Sequence, residues 1–198
     1  ITASISGTAN ALTGLNTTNT DAITMTVAAG TVTAADLATI DGKTSVTVDA
    51  SAVTKITGSD TEVRAALTAD GNNTLNIDTD FETDVSGDVS VSNANTIVLA
   101  TTGQVDFAGT ITDSMASMLN DAEDGLSTAF AAVTNGTASS DGDGGVDVTV
   151  NAGIVTVTKL NLIKAATTGT ITASISGTAN ALTALNTVAT DAITMSVD

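Results

Sequence analysis

The 198-residue sequence contains no His, Cys, Trp, Tyr or Pro, and its aromatic residues are three Phe. Without His and Cys the chain lacks the imidazole and thiol groups of most nucleophilic sites, and Zn²⁺ loses its usual nitrogen and sulfur ligands. The sequence also has no Gly-x-Ser-x-Gly motif and no Trp or Tyr for a sugar platform. We therefore expect that the chain is not an enzyme.

Basic residues are also scarce, because 5 Lys and Arg stand against 22 Asp and Glu, for a formal net charge of −17. Such an excess of negative charge repels nucleic-acid phosphates and anionic lipid headgroups. No apolar run approaches the roughly 18 residues of a membrane span. We predict neither nucleic-acid binding nor membrane insertion.

The residues that do dominate are small or β-branched, with 40 Thr and 32 Ala among the 198 positions. Apolar residues make up 42% of the chain, which is too many for a sequence kept disordered by charge. A core built from Ala, Val, Ile and Leu is thin and relies on contacts between neighbouring layers. This composition is typical of repeat proteins.

A long internal duplication is the strongest feature of the sequence. Residues 1–28 and 171–198 are identical at 23 of 28 positions, with an offset of 170 residues. We predict one tandem repeat module over residues 1–170 and the start of the next copy over residues 171–198. The duplication also predicts that the repeat continues beyond both ends.

Apolar and polar residues alternate with period two in many short segments, which is typical of half-buried strands. The predicted strands are residues 1–5, 23–27, 46–48, 75–77, 89–91, 97–99, 105–107, 146–150 and 155–157.

Other segments carry helix-start signals, such as Thr33 followed by Asp36 and Asp60 followed by Glu62. The predicted helices are residues 8–15, 33–40, 60–67, 113–120 and 124–133.

Strand and helix alternate at the spacing of one solenoid coil, since the first strand starts, at residues 1, 22 and 46, are 21 and 24 apart. A crossover helix between neighbouring strands makes those strands parallel. We predict a mostly β fold with short helices, arranged as an elongated parallel β-solenoid. The alternative is a set of tandem antiparallel β-sandwiches, because the strands between residues 74 and 107 are close enough for hairpins.

Three motifs between residues 31 and 67 resemble the modules of giant Thr/Ala-rich tandem-repeat cell-surface proteins of marine cyanobacteria and related bacteria. They are Ala-Ala-Asp-Leu at 34–37, Val-Asp-Ala-Ser at 48–51 and Thr-Glu-Val-Arg-Ala-Ala-Leu at 61–67, about one fifth of the chain in extent. The resemblance implies a secreted bacterial protein located outside the cell or at its surface. It implies no catalytic residues.

One acidic cluster matches the pattern of a calcium loop. Asp141, Asp143 and Asp147 lie in the sequence Asp-Gly-Asp-Gly-Gly-Val-Asp, in which glycines permit a tight turn around a cation. Ca²⁺ takes oxygen ligands only, which suits a chain without His and Cys. We predict Ca²⁺ as the one possible cofactor, with a flexible acidic turn as the alternative.

A second acidic cluster comprises Asp78, Asp80, Glu82 and Asp84, spaced two residues apart. In an extended strand these four carboxylates would project from one face. They are a weaker candidate cation site, and a solvated strand edge that prevents aggregation is the alternative.

Together these features predict a non-enzymatic structural module of a secreted surface protein that forms an extended filament, fibre or surface coat. Its expected partners are other copies of the same repeat. The alternatives are a calcium-stiffened stalk of a bacterial adhesin and a carbohydrate-active β-helix.

Overall fold

The structure is a computed structural model that describes residues 1–136, 138–139, 145–151 and 155–198. It contains two compact units, residues 1–86 with 100–105 and residues 87–99 with 106–198. Strands and short helices alternate along both units.

The first unit contains β1 (Thr2–Gly7), α1 (Ala9–Thr13), β2 (Ala22–Val27), β3 (Gly30–Thr33), α2 (Ala34–Asp41), β4 (Val48–Asp49), β5 (Val53–Ser59), α3 (Asp60–Gly71), β6 (Leu75–Asn76) and β7 (Glu82–Ser86). One sheet has the order β1-β2-β4-β6, and its strand pairs are parallel. In the other sheet, β5 pairs in parallel with β3 and with β7.

The last of the three points at which the chain crosses between the units lies within β8 (Val105–Phe107). The second unit contains α4 (Val91–Val98), β9 (Ile111–Asp113), α5 (Met115–Met118), α6 (Thr128–Asn135), β10 (Ala138–Ser139), β11 (Val148–Val150), α7 (Val157–Ala166), β12 (Ile171–Gly177), α8 (Ala179–Leu182) and β13 (Ala192–Val197). Its four-stranded sheet has the order β9-β11-β12-β13, with parallel pairs throughout.

The fold is therefore mixed α/β with open parallel sheets. Parallel pairing was predicted from the alternation of strand and helix, and it is confirmed for these sheets. The antiparallel sandwich is wrong for them, because a helix or a long connection separates each strand from its partner and leaves no tight hairpin. The expectation of a mostly β fold understates the helices, which number eight in the described residues.

Hydroxyl side chains determine where the helices begin. In seven helices a Ser or Thr precedes the first turn, and its oxygen accepts a hydrogen bond from the N–H three residues later; these residues are Thr8, Thr33, Ser59, Ser90, Ser114, Ser127 and Thr178. Each such cap stabilises its helix by about 1 kcal/mol. Several strands end at the capping residue or at the residue before it. The cap therefore marks the point at which the chain changes from strand to helix.

The predicted strands at residues 89–91 and 97–99 are wrong, because they overlap the two ends of α4; only Val89, before the helix, forms a single parallel bridge, with Ile111. Ser90 caps this helix, and Val91, Ala94, Ile97 and Val98 are buried at helical spacing. The alternation over three residues was too short to distinguish a strand from a helix face. Residues 155–157 likewise lead into α7 rather than forming a strand of their own.

The core is built largely from aliphatic side chains, and all three Phe residues are buried within it. The largest fully buried side chains are Leu12, Met25, Leu37, Ile40, Ile56, Leu75, Phe81, Ile97, Phe107, Ile111, Met118 and Phe130. Fully burying one such side chain contributes about 1.5–3 kcal/mol.

An Ala-Thr-Thr-Gly sequence occurs at residues 100–103 and 166–169, and both copies form the same buried turn. Thr101 donates a hydrogen bond to the Phe81 carbonyl oxygen, and Gly103 N–H donates to Thr101 Oγ1 at 3.0 Å. Thr167 Oγ1 donates to the Val146 carbonyl oxygen at 2.6 Å, and Gly169 N–H donates to Thr167 Oγ1 at 3.0 Å. Each turn is thus connected through a buried hydroxyl to main chain that lies 20 or 21 residues earlier in the sequence.

Glycine is required in this turn because main chain from an earlier part of the sequence lies against it. A Cβ added at Gly169 would lie 2.4 Å from the Val146 carbonyl oxygen. We expect Gly169→Ala to lower the free energy of unfolding by about 2 kcal/mol or more, since backbone must shift to accept the methyl group. Urea-induced unfolding measures this loss.

The control variant is Gly71→Ala, at the last residue of α3, where an added Cβ meets no atom within 4 Å. Alanine has the higher helix propensity, so this variant should be neutral or slightly more stable. Equal stability of Gly169→Ala and the native chain would show that the turn does not require glycine.

Candidate functional site

The two copies of the duplicated segment fold in the same way. Residues 1–28 form β1, α1 and β2, and residues 171–198 form β12, α8 and β13. The strand registers match, since Ala3 pairs with Ile23 and Ala173 pairs with Ile193. The helix caps Thr8 and Thr178 also occupy equivalent positions. We refer to residues 1–28 as the first copy and residues 171–198 as the second copy.

One aspartate in each copy holds the two strands together at their starts. In the first copy, Asp21 accepts hydrogen bonds from the nitrogen of Ile1 at 2.9 Å and from Thr18 N–H at 3.0 Å. In the second copy, Asp191 accepts from Ile171 N–H at 2.9 Å and Val188 N–H at 2.8 Å. A carboxylate in this position satisfies the start of one strand and the turn that leads into the next.

Asp191 carries an additional ion pair with Lys164 of α7, whose Nζ lies 3.2 Å from the carboxylate. The Asp191 side chain is fully buried and that of Lys164 is 11% exposed. Burial alone raises the pKa of Asp191, but the Val188 and Ile171 N–H groups and the Lys164 ammonium outweigh it and lower the pKa below its ordinary value.

The copies differ in which strand is covered. In the first copy the apolar side of β1 is open, with Ile1 80% and Ile5 37% exposed, whereas the equivalent Ile171 and Ile175 of β12 are buried. The second strands show the reverse pattern.

Met25 in β2 is fully buried, whereas the equivalent Met195 in β13 is 54% exposed. Val27 and Val197 differ in the same sense, with Val197 64% exposed. The first copy therefore exposes its first strand, β1, and the second copy exposes its second strand, β13, although their sequences are nearly identical.

The sheet order explains this difference. β1 and β13 are edge strands of their sheets, whereas β2 and β12 each lie between two strands. Within the described residues, no strand pairs with the outer side of β1 or of β13. An edge strand with apolar side chains and free backbone groups is suited to pairing with another strand.

The predicted calcium loop lies mostly outside the described residues, which exclude Asp141 and Asp143. Asp147 is described, and its Oδ1 accepts a hydrogen bond from Thr170 N–H at 2.6 Å. Asp88 makes the equivalent bond to Thr110 N–H at 3.1 Å. Asp147 thus has a structural role at the start of β12, and calcium binding stays a prediction.

The second acidic cluster does not form the row that its spacing suggested. Only Glu82 and Asp84 lie in β7, and Asp78 and Asp80 precede the strand. Asp78 Oδ1 accepts from Thr79 N–H at 2.8 Å, while Asp84 pairs with Lys55 of the adjacent strand β5 at 2.7 Å. The strand begins only after buried Phe81, so the four carboxylates do not share one extended face.

A search of the described residues found no group of three or more acidic side chains placed to hold a metal ion. It also found no helix long and apolar enough to cross a membrane. No protein-family model matches the chain, and comparisons with curated proteins and with solved structures gave no match.

Sequence reasoning missed the aspartates and threonines that connect parts of the chain 20–23 residues apart. The available signal was local repetition, because Gly-Thr-Ile-Thr occurs at residues 109–112 and 169–172 and Ala-Thr-Thr-Gly at 100–103 and 166–169. Each sequence precedes or includes the start of a strand. A search for short repeats inside the 170-residue unit would have found both.

The lowered pKa of Asp191 predicts acid-dependent stability. The ionised carboxylate stabilises the fold above the unfolded-state pKa of about 3.9, and that contribution is lost as pH falls through the lower folded-state value. We expect Asp191→Asn to lower the free energy of unfolding by about 1.5–3 kcal/mol at pH 7. Below about pH 4 the difference from the native chain should shrink, because the native carboxyl also loses its charge.

The measurement is chemical unfolding of both chains at a series of pH values. Asp121→Asn is the control, because Asp121 is exposed. A deficit of Asp191→Asn that persists undiminished at low pH would contradict the role assigned to the charge.

Calcium binding is tested by thermal unfolding with Ca²⁺ and with a chelator. If the loop binds, Ca²⁺ at one hundred times its Kd should raise Tm by about 5–10 °C, and Asp143→Ala should abolish the rise. Asp147 is unsuitable for this test because its bond to Thr170 would be lost as well. Equal melts of the native chain, or a full response in Asp143→Ala, would remove the site.

Proposed function

We propose that the chain is a non-enzymatic structural module of a secreted surface protein, whose tandem copies build an extended filament, fibre or surface coat. The observation that carries this proposal is the duplicated segment. Two copies separated by 170 residues fold into the same strand, helix and strand, with the same register and the same aspartate contacts. Equivalent structure at a fixed interval is what a tandem module requires.

The contacts inside each unit support a solenoid of stacked coils. In the second unit, Thr110 bonds to Asp88 and Thr170 bonds to Asp147, and the partners in both pairs are separated by about one coil. The helix that follows each of several strands returns the chain for the next parallel strand. Such a protein grows by adding coils to its ends rather than by enlarging one core.

Composition supports the same function. The net charge of −17 keeps copies soluble and disfavours lateral aggregation of sheets. Small and β-branched residues suit thin layers, and the hydroxyl groups that start the helices recur along the chain. The location at the cell surface rests on the resemblance of residues 31–67 to the Thr/Ala-rich surface proteins.

The proposal predicts how size grows with copy number. Chains with one, two and three 170-residue units should gain a constant length per added unit in small-angle X-ray scattering. A compact globular chain would instead grow in radius of gyration as about the 0.38 power of residue number. Compact growth would therefore contradict the proposed function.

A matched control joins two units through a flexible Gly/Ser linker. A rigid filament module should scatter as a stiffer particle without that linker than with it. If the chain with the linker and the chain without it are equally flexible, the repeats do not pack against one another. That result would contradict a continuous filament.

A further inference from the structure

The two copies of the duplicated segment are held from opposite sides. In the first copy the contacts lie on the β2 side. Thr44, in the connection that follows α2, accepts from Ile23 N–H at 3.1 Å and donates to the Ile23 carbonyl oxygen at 2.6 Å. Lys43 Nζ donates to the Leu15 carbonyl oxygen at 2.7 Å. β4 then pairs with β2 through Thr26 and Asp49.

In the second copy the contacts lie on the β12 side. Strand β11 pairs with β12 through Val148 and Ile171. Asn161 of α7 donates to the Ala184 carbonyl oxygen at 2.9 Å and accepts from Asn186 N–H at 2.9 Å. The Lys164 ion pair with Asp191 completes this side.

The two copies have the same fold, and the two sets of contacts lie on opposite edges of that fold. A single copy of the 28-residue segment therefore has room for both sets. The first set involves β2 and the main chain before it, and the second involves β12 and the helix α7 beside it. Most of the partner atoms are main-chain atoms, and the exception, Asp191, has the identical residue Asp21 in the first copy. Either copy can therefore supply every group that the contacts need.

The residues that differ between the copies do not oppose this combination. The five pairs are Gly14/Ala184, Thr18/Val188, Asn19/Ala189, Thr26/Ser196 and Ala28/Asp198. None of these residues is buried in either copy, and the apolar residues that line the strands are identical.

We propose that the open edges of β1 and β13 are docking surfaces for a neighbouring copy of this repeat. Two successive 170-residue repeats then share one 28-residue segment, which is covered on both edges. We call this shared segment the joint. A β11-type strand pairs with β1 as Val148 pairs with Ile171, which places Val148 opposite Ile1. β4 of the next unit pairs with β13 as Thr26 pairs with Asp49, which places Asp49 opposite Ser196.

This inference deepens the proposed function and rests on its premise that copies follow one another in tandem. It adds the identity, the register and the polarity of the joint. Because the edge of β1 receives one kind of strand and the edge of β13 another, the contact is head-to-tail. A head-to-tail contact that does not close into a ring produces an open chain of units.

Methionine oxidation tests the joint, because Met25 and Met195 are equivalent residues with opposite exposure. In the native chain, peroxide should oxidise Met195 at least about tenfold faster than Met25, since oxidation follows access to the sulfur. Peptide mass spectrometry measures both rates in one sample. Equal rates in the native chain would overturn the assignment of β13 as an open edge.

The decisive chain consists of residues 1–198 followed directly by residues 29–198. It places residues 171–198 once between two units and once after the second unit. Met195→Leu in only one of these positions leaves a single Met195 whose location is known. At the joint, Met195 should be oxidised as slowly as Met25, whereas after the second unit it should remain fast.

An unchanged rate of Met195 at the joint overturns the proposal, provided that Met25 remains protected in the same sample. Loss of protection at Met25 would reveal misfolding, so a second measurement is included. The chain has no Cys, which permits engineered disulfides. Thr26→Cys with Asp49→Cys in the native chain is the positive control, because these residues are register partners.

At the joint, the corresponding pair is Ser196→Cys with Asp49→Cys of the following unit. Oxidation should cross-link this pair as completely as the control pair, since directly paired residues lie within disulfide distance. Ser196→Cys with Ala50→Cys is the negative control, because successive strand residues point to opposite faces. Failure of the Ser196 and Asp49 pair, with the control pair linked, also overturns the joint.

These outcomes are distinguishable from failure of the proposed function. If Met195 at the joint is protected and the cysteine pair there is cross-linked, but the particle does not lengthen with added repeats, the proposed joint stands and the proposed filament is wrong. If the particle lengthens but Met195 at the joint stays reactive, the filament stands and the joint is wrong.

Discussion

Parallel pairing between neighbouring strands is the interaction on which the rest of the structure depends. A parallel strand cannot return through a tight hairpin, so each connection must carry a helix or a long loop. The Ser and Thr caps meet this demand, because Ser59 lies at the end of β5 and immediately before α3. A strand that pairs on one side leaves its other side open for a further strand, as β1 and β13 do in their sheets.

Buried hydroxyl and carboxylate groups fix the register between neighbouring parts of the chain. Apolar contacts are not directional, so they do not by themselves prevent a strand from shifting. Thr167 and Asp191 bind particular main-chain groups, and a shift would leave those buried groups unpaired at a cost of about 1–3 kcal/mol each. Gly169 adds a steric constraint, because the Val146 carbonyl oxygen occupies the space of a side chain.

The sequence was most informative where a signal was long or depended on one hydroxyl. Helices at α1, α2 and α3 were predicted, with bounds that changed by a few residues. Thr33 was identified as a start signal and caps α2, whereas α3 was predicted to start from Asp60 and is capped by Ser59. The sequence was least informative for short apolar alternations, so the two ends of α4 were predicted as strands. The acidic row from Asp78 to Asp84 failed for a related reason, since spacing places side chains on one face only if the backbone is extended throughout.

The sequence by itself determined the duplication and the acidic charge, because identity over 28 positions and composition need no coordinates. Strand–helix order favoured parallel sheets, and the antiparallel sandwich stayed an alternative until the strand pairs were known. Only the tertiary structure decided which side of each copy is covered. Met25 and Met195 have nearly the same local sequence, yet one is buried and the other exposed. Burial of a strand's edge depends on which strand lies beside it, as β4 lies beside β2 and β11 lies beside β12.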